Sequence, residues 1–199
     1  MQPLEMEMRQ WAEMHQVPIL ASASADYLAA LVAEKKPRQI LEIGCAIGYS
    51  ALLIAQHCAV DGKITTLELD PKRITIAKDF IARAKQTERI EIIQGDATAL
   101  ISTLSGPYDF VFLDGPKGQY LRQLQQLLPD KLAQNATIVA DNVAFRGMVG
   151  GAVPCLPRYK TLVARLRQYI EFVSTDPRFS TKIITEADHL AISDYTKEL

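Results

Sequence analysis

Short apolar runs alternate with amphipathic stretches along most of the chain. Gln39–Ile43, Lys63–Glu68, residues 90–93, Tyr108–Leu113 and residues 137–140 are brief runs rich in Ile, Leu, Val and Phe. Runs of that length and composition predict strands buried on both faces. The stretches between them have helical spacing. Residues 49–58 repeat Leu52, Leu53, Ala55 and Gln56, and the segment opened by Asp70-Pro71 carries Ile74, Ala77, Ile81 and Ala84 on one face. Asp70 and Pro71 are an N-cap acid and a first-turn proline. Residues 6–15 and 24–35 predict two N-terminal helices joined by Val17-Pro18-Ile19-Leu20, and Pro37 ends the second. Helices are also expected over 98–104, 120–128 and, after a glycine-rich loop, 159–173. Residues 182–185 and 190–193 predict a closing antiparallel pair.

Five strands alternating with helices imply an α/β domain whose parallel sheet is covered on both faces. Right-handed crossovers then place the strand C-termini on one edge, where such sheets bind ligands. Residues 1–199 are expected to form one domain, with 1–36 as a helical lid or interface segment.

The chain has 199 residues, is 48% hydrophobic and 23% charged, and carries a net charge of -1. That excludes a disordered chain and gives no overall basic bias towards nucleic acid, although a local basic face stays open. Cys45, Cys58 and Cys155 are widely spaced and form no CxxC pair, which excludes a disulfide framework or a zinc site. A reduced, cytoplasmic setting is expected. The N-terminus has no apolar leader core, and no apolar run approaches the roughly 18 residues needed to span a membrane.

Every acid of interest falls at or just past a strand end. Leu41-Glu42-Ile43-Gly44-Cys45-Ala46-Ile47-Gly48-Tyr49-Ser50 reads as strand, glycine turn and helix start. Gly44 and Gly48 let the backbone pass close to a ligand, and the helix start with Ser50 offers donors to a carboxylate. The GxGxxG spacing is absent, which argues against a pyrophosphate cofactor. Glu68 ends the second strand, where an acid accepts ribose hydroxyls. Glu42 is placed to meet an ammonium. In Gly95-Asp96-Ala97, Asp96 can accept an adenine amino group. The equally simple reading of a lone glycine turn is loop chemistry.

Phe112-Leu113-Asp114-Gly115-Pro116-Lys117-Gly118-Gln119-Tyr120 follows the fourth strand and Ala140-Asp141-Asn142-Val143 the fifth. Adjacent strands would bring Asp114, Asp141 and Asn142 together as hard oxygen donors, suited to Mg2+ with Mn2+ or Ca2+ as substitutes. Taken singly, the same residues serve as turn formers and helix caps. Lys117 lies close enough in sequence to share the site as a general base, or it is an exposed lysine at a helix start.

At LEIGCAIGYSA, TLELD, GDA, FLDGPKGQY and ADNV, in that order over roughly residues 40–143, the sequence resembles the metal-dependent class I O-methyltransferases of the catechol and caffeoyl-CoA type. The resemblance implies a Rossmann-like, doubly wound, seven-stranded, mostly parallel sheet. It also implies S-adenosylmethionine as methyl donor and Mg2+ at Asp114, Asp141 and Asn142. Cofactor contacts are implied at Val17, Leu20, Glu42, Gly44, Gly48, Ser50, Glu68, Asp96, Ala97 and Asp114, and catalytic roles for Lys117 and Asp114, with Lys117 as the base. AEMHQVPIL, DNVAFRGMV, LRQYIEFVSTDPRF and HLAIS are similar to the bacterial branch that methylates the 5-hydroxyl of 5-hydroxyuridine at the tRNA wobble position. The closing turn departs from that branch, reading Ala187-Asp188-His189 where glycines are expected. Arg146, Arg158, Lys160, Arg165 and Arg167 can touch tRNA phosphates or form a solvated helix face. The expected acceptor is therefore the anticodon region of tRNA, with a small catechol-like phenol as the alternative, and the expected assembly is a homodimer.

Overall fold

A computed structural model describes residues 2–185 and 189–197. Fourteen helices and strands organise it in chain order: α1 (Gln2–Met14), α2 (Ser22–Lys35), β1 (Gln39–Ile43), α3 (Tyr49–His57), β2 (Lys63–Glu68), α4 (Pro71–Arg83), β3 (Ile90–Gln94), α5 (Ala97–Leu100), β4 (Tyr108–Leu113), α6 (Tyr120–Leu127), β5 (Leu132–Ala140), α7 (Lys160–Thr175), β6 (Phe179–Ile184) and β7 (Leu190–Tyr195). The strands form one seven-stranded sheet in the order β3-β2-β1-β4-β5-β7-β6. All pairs from β3 to β5 are parallel, and β7 runs antiparallel to both β5 and β6. This is the expected α/β architecture.

The central strands β1 and β4 read as unbroken apolar runs because both faces are covered. Ile40, Leu41, Phe110, Val111, Phe112 and Leu113 have no exposed surface. Alternate residues feed two cores. Ile40, Phe110 and Phe112 pack with α2, α3 and α4, while Leu41, Val111 and Leu113 pack with α6 and α7. Asp70 caps α4 as its position predicts, its carboxylate accepting from the Lys72 N–H at 2.8 Å.

α1 and β6 begin earlier than their patterns predict, at Gln2 and Phe179, and two further elements differ in form. β5 begins at Leu132 rather than 137, because its pairing with β4 shifts register: Tyr108 faces Leu132, but Phe110 faces Thr137. The intervening residues include exposed Gln134 and Asn135, the latter with φ of 63°, so their polarity conceals the strand. The helix expected over 98–104 divides into α5 and a tighter turn over Ile101–Thr103. His189 keeps a left-handed backbone (φ 59°), and Ala187 and Asp188 of the same closing turn lie outside the described residues.

The entry to β1 is held by one side chain. The Asp109 carboxylate accepts from the Arg38 N–H at 2.8 Å and the Gln39 N–H at 3.0 Å, fixing β1 beside β4. Asp109→Ala removes both bonds, although water can reach the exposed donors, and is expected to lower the unfolding free energy by about 1 kcal/mol in urea titrations. A change below about 0.5 kcal/mol would assign the strand entry to the flanking ladder instead.

Candidate active site

The β1 and β4 ends nearly touch. Gly44 follows β1 with φ of 103°, and a Cβ there would lie 2.7 Å from the Asp114 carbonyl oxygen. The ladder continues one residue past each strand. The Asp114 N–H donates to Ile43 O at 2.9 Å, Asp141 N–H to Leu113 O at 3.0 Å, and Gly95 N–H to Glu68 O at 2.9 Å. The strand-end residues therefore share one edge and open on a cavity of about 720 Å³.

Of the residues singled out in the sequence, Leu20, Gly44, Glu68, Asp96, Ala97, Asp114, Lys117, Asp141 and Asn142 line that cavity. Val17, Glu42, Gly48 and Ser50 stand behind it. The 18–21 segment between α1 and α2 forms part of the rim, with Leu20 only 4% exposed.

Glu68 organises the donor end. Its Oε2 accepts from the Ala46 N–H at 2.8 Å, and its Oε1 accepts from the N–H groups of Leu69 and Asp70, both at 2.9 Å. The acid thus ties the glycine turn to the end of β2 while facing the cavity. Asp96 is exposed, and its Oδ1 caps α5 by accepting from Thr98 N–H at 2.8 Å and Ala99 N–H at 3.3 Å.

Glu42 is wholly buried. Its Oε2 accepts from the Thr66 hydroxyl, it also bonds with Ser50, and Oε1 has no partner among the described residues. Burial pushes its carboxyl up to about 7, opposed by the two hydroxyls. Ser50 thus belongs to Glu42 in this structure rather than standing open at the cavity surface.

At the other end, Lys117 lies between two carboxylates. Its Nζ is 3.6 Å from Asp114 Oδ1 and 3.4 Å from Asp141 Oδ2. It also donates to the Asp141 carbonyl and the Tyr120 hydroxyl, each at 3.3 Å. Tyr120 is fully buried and donates to the same carbonyl at 3.1 Å, braced edge-on by Tyr169. What remains exposed of Asp114 faces the cavity. Burial first, then the Asp141 charge, pushes its carboxyl up to about 8, and Lys117 opposes that. Two acids forced together need added positive charge to ionise. With Asn142 they form a hard set of two carboxylates and an amide, which fits a hydrated divalent cation such as Mg2+. Among the described residues no group of three or more His, Cys, Asp or Glu side chains could hold a metal.

Sequence reasoning missed two residues. Tyr120 reads as a helix start, although its spacing of three from Lys117 was a usable signal. Gln123 lines the cavity from a position on the apolar face of α6 and carries no motif.

A family model described as O-methyltransferase matches residues 4–194. A catechol O-methyltransferase of Mycobacterium tuberculosis is 33% identical over 138 residues, which cover 68% of this chain and 61% of that protein. A caffeoyl-CoA O-methyltransferase of Stellaria longipes is 29% identical over 152 residues, 72% of this chain and 62% of its own length. The match thus spans under two thirds of each relative. The crystal structure of an SAH-bound methyltransferase from Podospora anserina superposes with a TM-score of 0.88 at 25% identity, covering 98% of this chain and 88% of that one.

Glu42 generates a pH prediction. Its folded pKa of about 7 exceeds the ordinary 4.5, so the folded state keeps a proton that the unfolded chain has released. The associated stability is complete below about pH 4.5 and is lost as pH rises through about 7. Glu42→Gln cannot ionise, so its stability relative to wild type should rise between about pH 5 and pH 8, by roughly 3 kcal/mol at the upper end. Thermal melts at both pH values check this, and a gap that stays constant would contradict it.

Proposed function

This chain belongs to the O-methyltransferase family, and we propose that it transfers the methyl group of S-adenosylmethionine to a hydroxyl oxygen, with a divalent cation, Mg2+ foremost, held by Asp114, Asp141 and Asn142. One observation carries the reading: the Lys117 ammonium lies 3.6 Å from Asp114 and 3.4 Å from Asp141 in the same cavity that Gly44 and Glu68 line. A donor-binding end and a hydroxyl-activating end therefore face one space.

The residues divide the work by position. Glu68 keeps lone pairs for the ribose hydroxyls beyond its three backbone donors. Asp96 and Ala97 border the base. Glu42, buried with Ser50 behind the lining, would reach the ammonium of the donor through a bridging water. Gly44 and Gly48 shape the turn, and Val17 and Leu20 close the 17–21 segment over the ligand and exclude water. A divalent cation at Asp114, Asp141 and Asn142 would lower the pKa of the acceptor hydroxyl and fix its oxygen. In its neutral amine form Lys117 would accept the acceptor's proton at Nζ, and the Tyr120 hydroxyl holds Lys117 in place. The oxygen attacks the methyl carbon in line with the carbon–sulfur bond. The bonding pair returns to sulfur, leaving S-adenosylhomocysteine, a methyl ether and a proton on the base.

For the acceptor, we infer the 5-hydroxyl of 5-hydroxyuridine at the tRNA wobble position, giving 5-methoxyuridine. Charge supports this. Between Asn142 and Ile170 the chain has Arg146, Arg158, Lys160, Arg165 and Arg167 and no carboxylate, although its net charge is -1. Arg165 reaches the Lys117 turn, its Cδ 3.4 Å from where a Cβ on Gly118 would be. Phosphate contacts of this kind set affinity and register on RNA. Phe145 and Tyr159 meet edge-on at 5.1 Å beside Asn142 and offer an unstacked base an aromatic wall. The identity with the mycobacterial catechol O-methyltransferase favours a second reading, a small catechol-like phenol, whose adjacent oxygens suit the same three donors.

α1 is held over α3 and α4 through Glu5 with Tyr49 and Glu7 with Arg83. It exposes Met6 (61%) and Met14 (76%), and we assign that face to a second copy in a homodimer. No helix among the described residues is long and apolar enough to cross a membrane, and a cytoplasmic site of action fits a tRNA acceptor.

Purified protein, methyl-labelled donor and Mg2+ should label tRNA from cells lacking wobble 5-methoxyuridine, and chelation should abolish the signal. Lys117→Met is expected to lower kcat by about 10²–10⁴-fold with a much smaller change in KM. Labelling of catechols and never of tRNA would replace the acceptor. Full turnover of Asp141→Ala under exhaustive chelation would remove the metal from the mechanism.

A further inference from the structure

α6 buries Tyr120, Gln123, Leu124 and Leu127, the spacing of a core-facing stripe. Three of the four are residues a core accepts readily. Gln123 is not: it is 1% exposed, and its Oε1 has no hydrogen-bond partner among the described residues. A buried amide oxygen without a partner destabilises the empty protein, and a leucine there would continue the stripe. Gln123 also lines the cavity, in company with Asp96, Ala97 and Thr98. One turn further along α6, the Gln126 amide donates to the Thr98 carbonyl at 3.0 Å. This side of α6 is therefore packed on the turn that follows β3.

Through that packing Gln123 shares the cavity wall with the turn that follows β3. The acid of that turn, Asp96, is exposed and has one oxygen engaged in capping α5. A carboxamide presents an acceptor and a donor side by side, and rotation by 180° exchanges them without moving the side-chain stem. Adenine presents the complement along one edge, an exocyclic amino donor next to a ring-nitrogen acceptor, and Gln or Asn pairs with it bidentately.

We propose that Gln123 binds the adenine of the methyl donor, its Oε1 accepting from the 6-amino group and its Nε2 donating to the neighbouring ring nitrogen. The assignment rests on the adenosyl donor reading above. It explains why a polar residue occupies an apolar stripe, because the ligand supplies the partner that the empty protein lacks.

The proposal predicts that affinity and stability move in opposite directions. Isothermal titration of the full chain with S-adenosylhomocysteine, and with its 6-deamino analogue, reads the first; thermal melts of the ligand-free protein read the second. For Gln123→Leu, binding of S-adenosylhomocysteine should weaken roughly 10- to 100-fold. The 6-deamino analogue keeps only the ring-nitrogen bond, so Gln123→Leu should weaken its binding by a clearly smaller factor than it weakens that of S-adenosylhomocysteine, and the melting temperature should be equal or higher. Gln123→Met, closer in shape, should behave in the same way and covers any packing fault of leucine. Undiminished binding of S-adenosylhomocysteine to both variants overturns the proposal, as does an equal loss for both ligands. A wild-type protein that fails to bind S-adenosylhomocysteine overturns the donor reading itself, a result distinct from either.

Discussion

Gly44 and Asp114 meet where the strand order turns back on itself, between β1 and β4. The backbone of one passes so close to the carbonyl of the other that any side chain at Gly44 would overlap it, with 2.7 Å left to a Cβ. Much else depends on that approach. It brings the turn that starts α3 against the turn that leads to α6, so the Glu68 edge and the acidic edge border one cavity instead of two clefts. Gly44 combines the missing Cβ with a φ of 103°, a region that L side chains rarely adopt. A larger residue would have to separate β1 from β4, and the carboxylate of Asp114 would leave its position beside Lys117 and Asp141.

Electrostatics follows from that geometry. The close approach buries Glu42 and crowds Asp114 against Asp141, and both Glu42 and Asp114 are pushed towards their neutral forms. Lys117 is the cation within reach of both Asp114 and Asp141. The protein's own groups therefore leave two places short of positive charge: near Glu42, where a donor's ammonium would stand, and near Asp114, where a divalent cation would. Ligands that bring those charges are stabilised by acids whose burial is unfavourable without them. The strain is local, because apolar side chains from both cores fill the rest of β1 and β4.

Legibility in the sequence tracks burial. β1, β2 and β4 have the boundaries that their apolar runs predict, since two covered faces leave no room for polar interruption. β5 was legible only in its last residues, because the register shift opposite Tyr108 admits Gln134 and Asn135 into the strand. The site shows the same division. Asp114, Asp141, Asn142 and Lys117 are short-range features of two strand ends, so adjacency of β4 and β5 was enough to bring them together. Gln123 was illegible, since an isolated glutamine in an amphipathic helix looks like an exposed polar position until the cavity behind it is known. Ser50 marked the right turn, but its pairing with the buried Glu42 depends on side-chain packing, which spacing does not encode.

The loop that follows β5 obeys a different logic from the Gly44 turn. Asn142, Phe145, Arg146 and Gly147 all adopt positive φ within six residues, a conformation that only surrounding contacts can hold in place. Those contacts come from elsewhere in the fold. The Val143 N–H donates to the His189 carbonyl at the mouth of β7, and the Arg167 guanidinium donates from α7 to the carbonyls of Val149 and Met148 at 2.9 and 3.2 Å. Arg167 is thus engaged with the loop although exposed, while the equally exposed Arg146, Arg158 and Arg165 stand around it. The basic stretch accordingly separates into a residue that shapes the wall and residues left facing whatever approaches it. On the proposed reading, Asp114, Asp141 and Asn142 would select a hydroxyl as the reacting group, and the molecule carrying it would be selected by this loop and its arginines, outside the strand-end motifs.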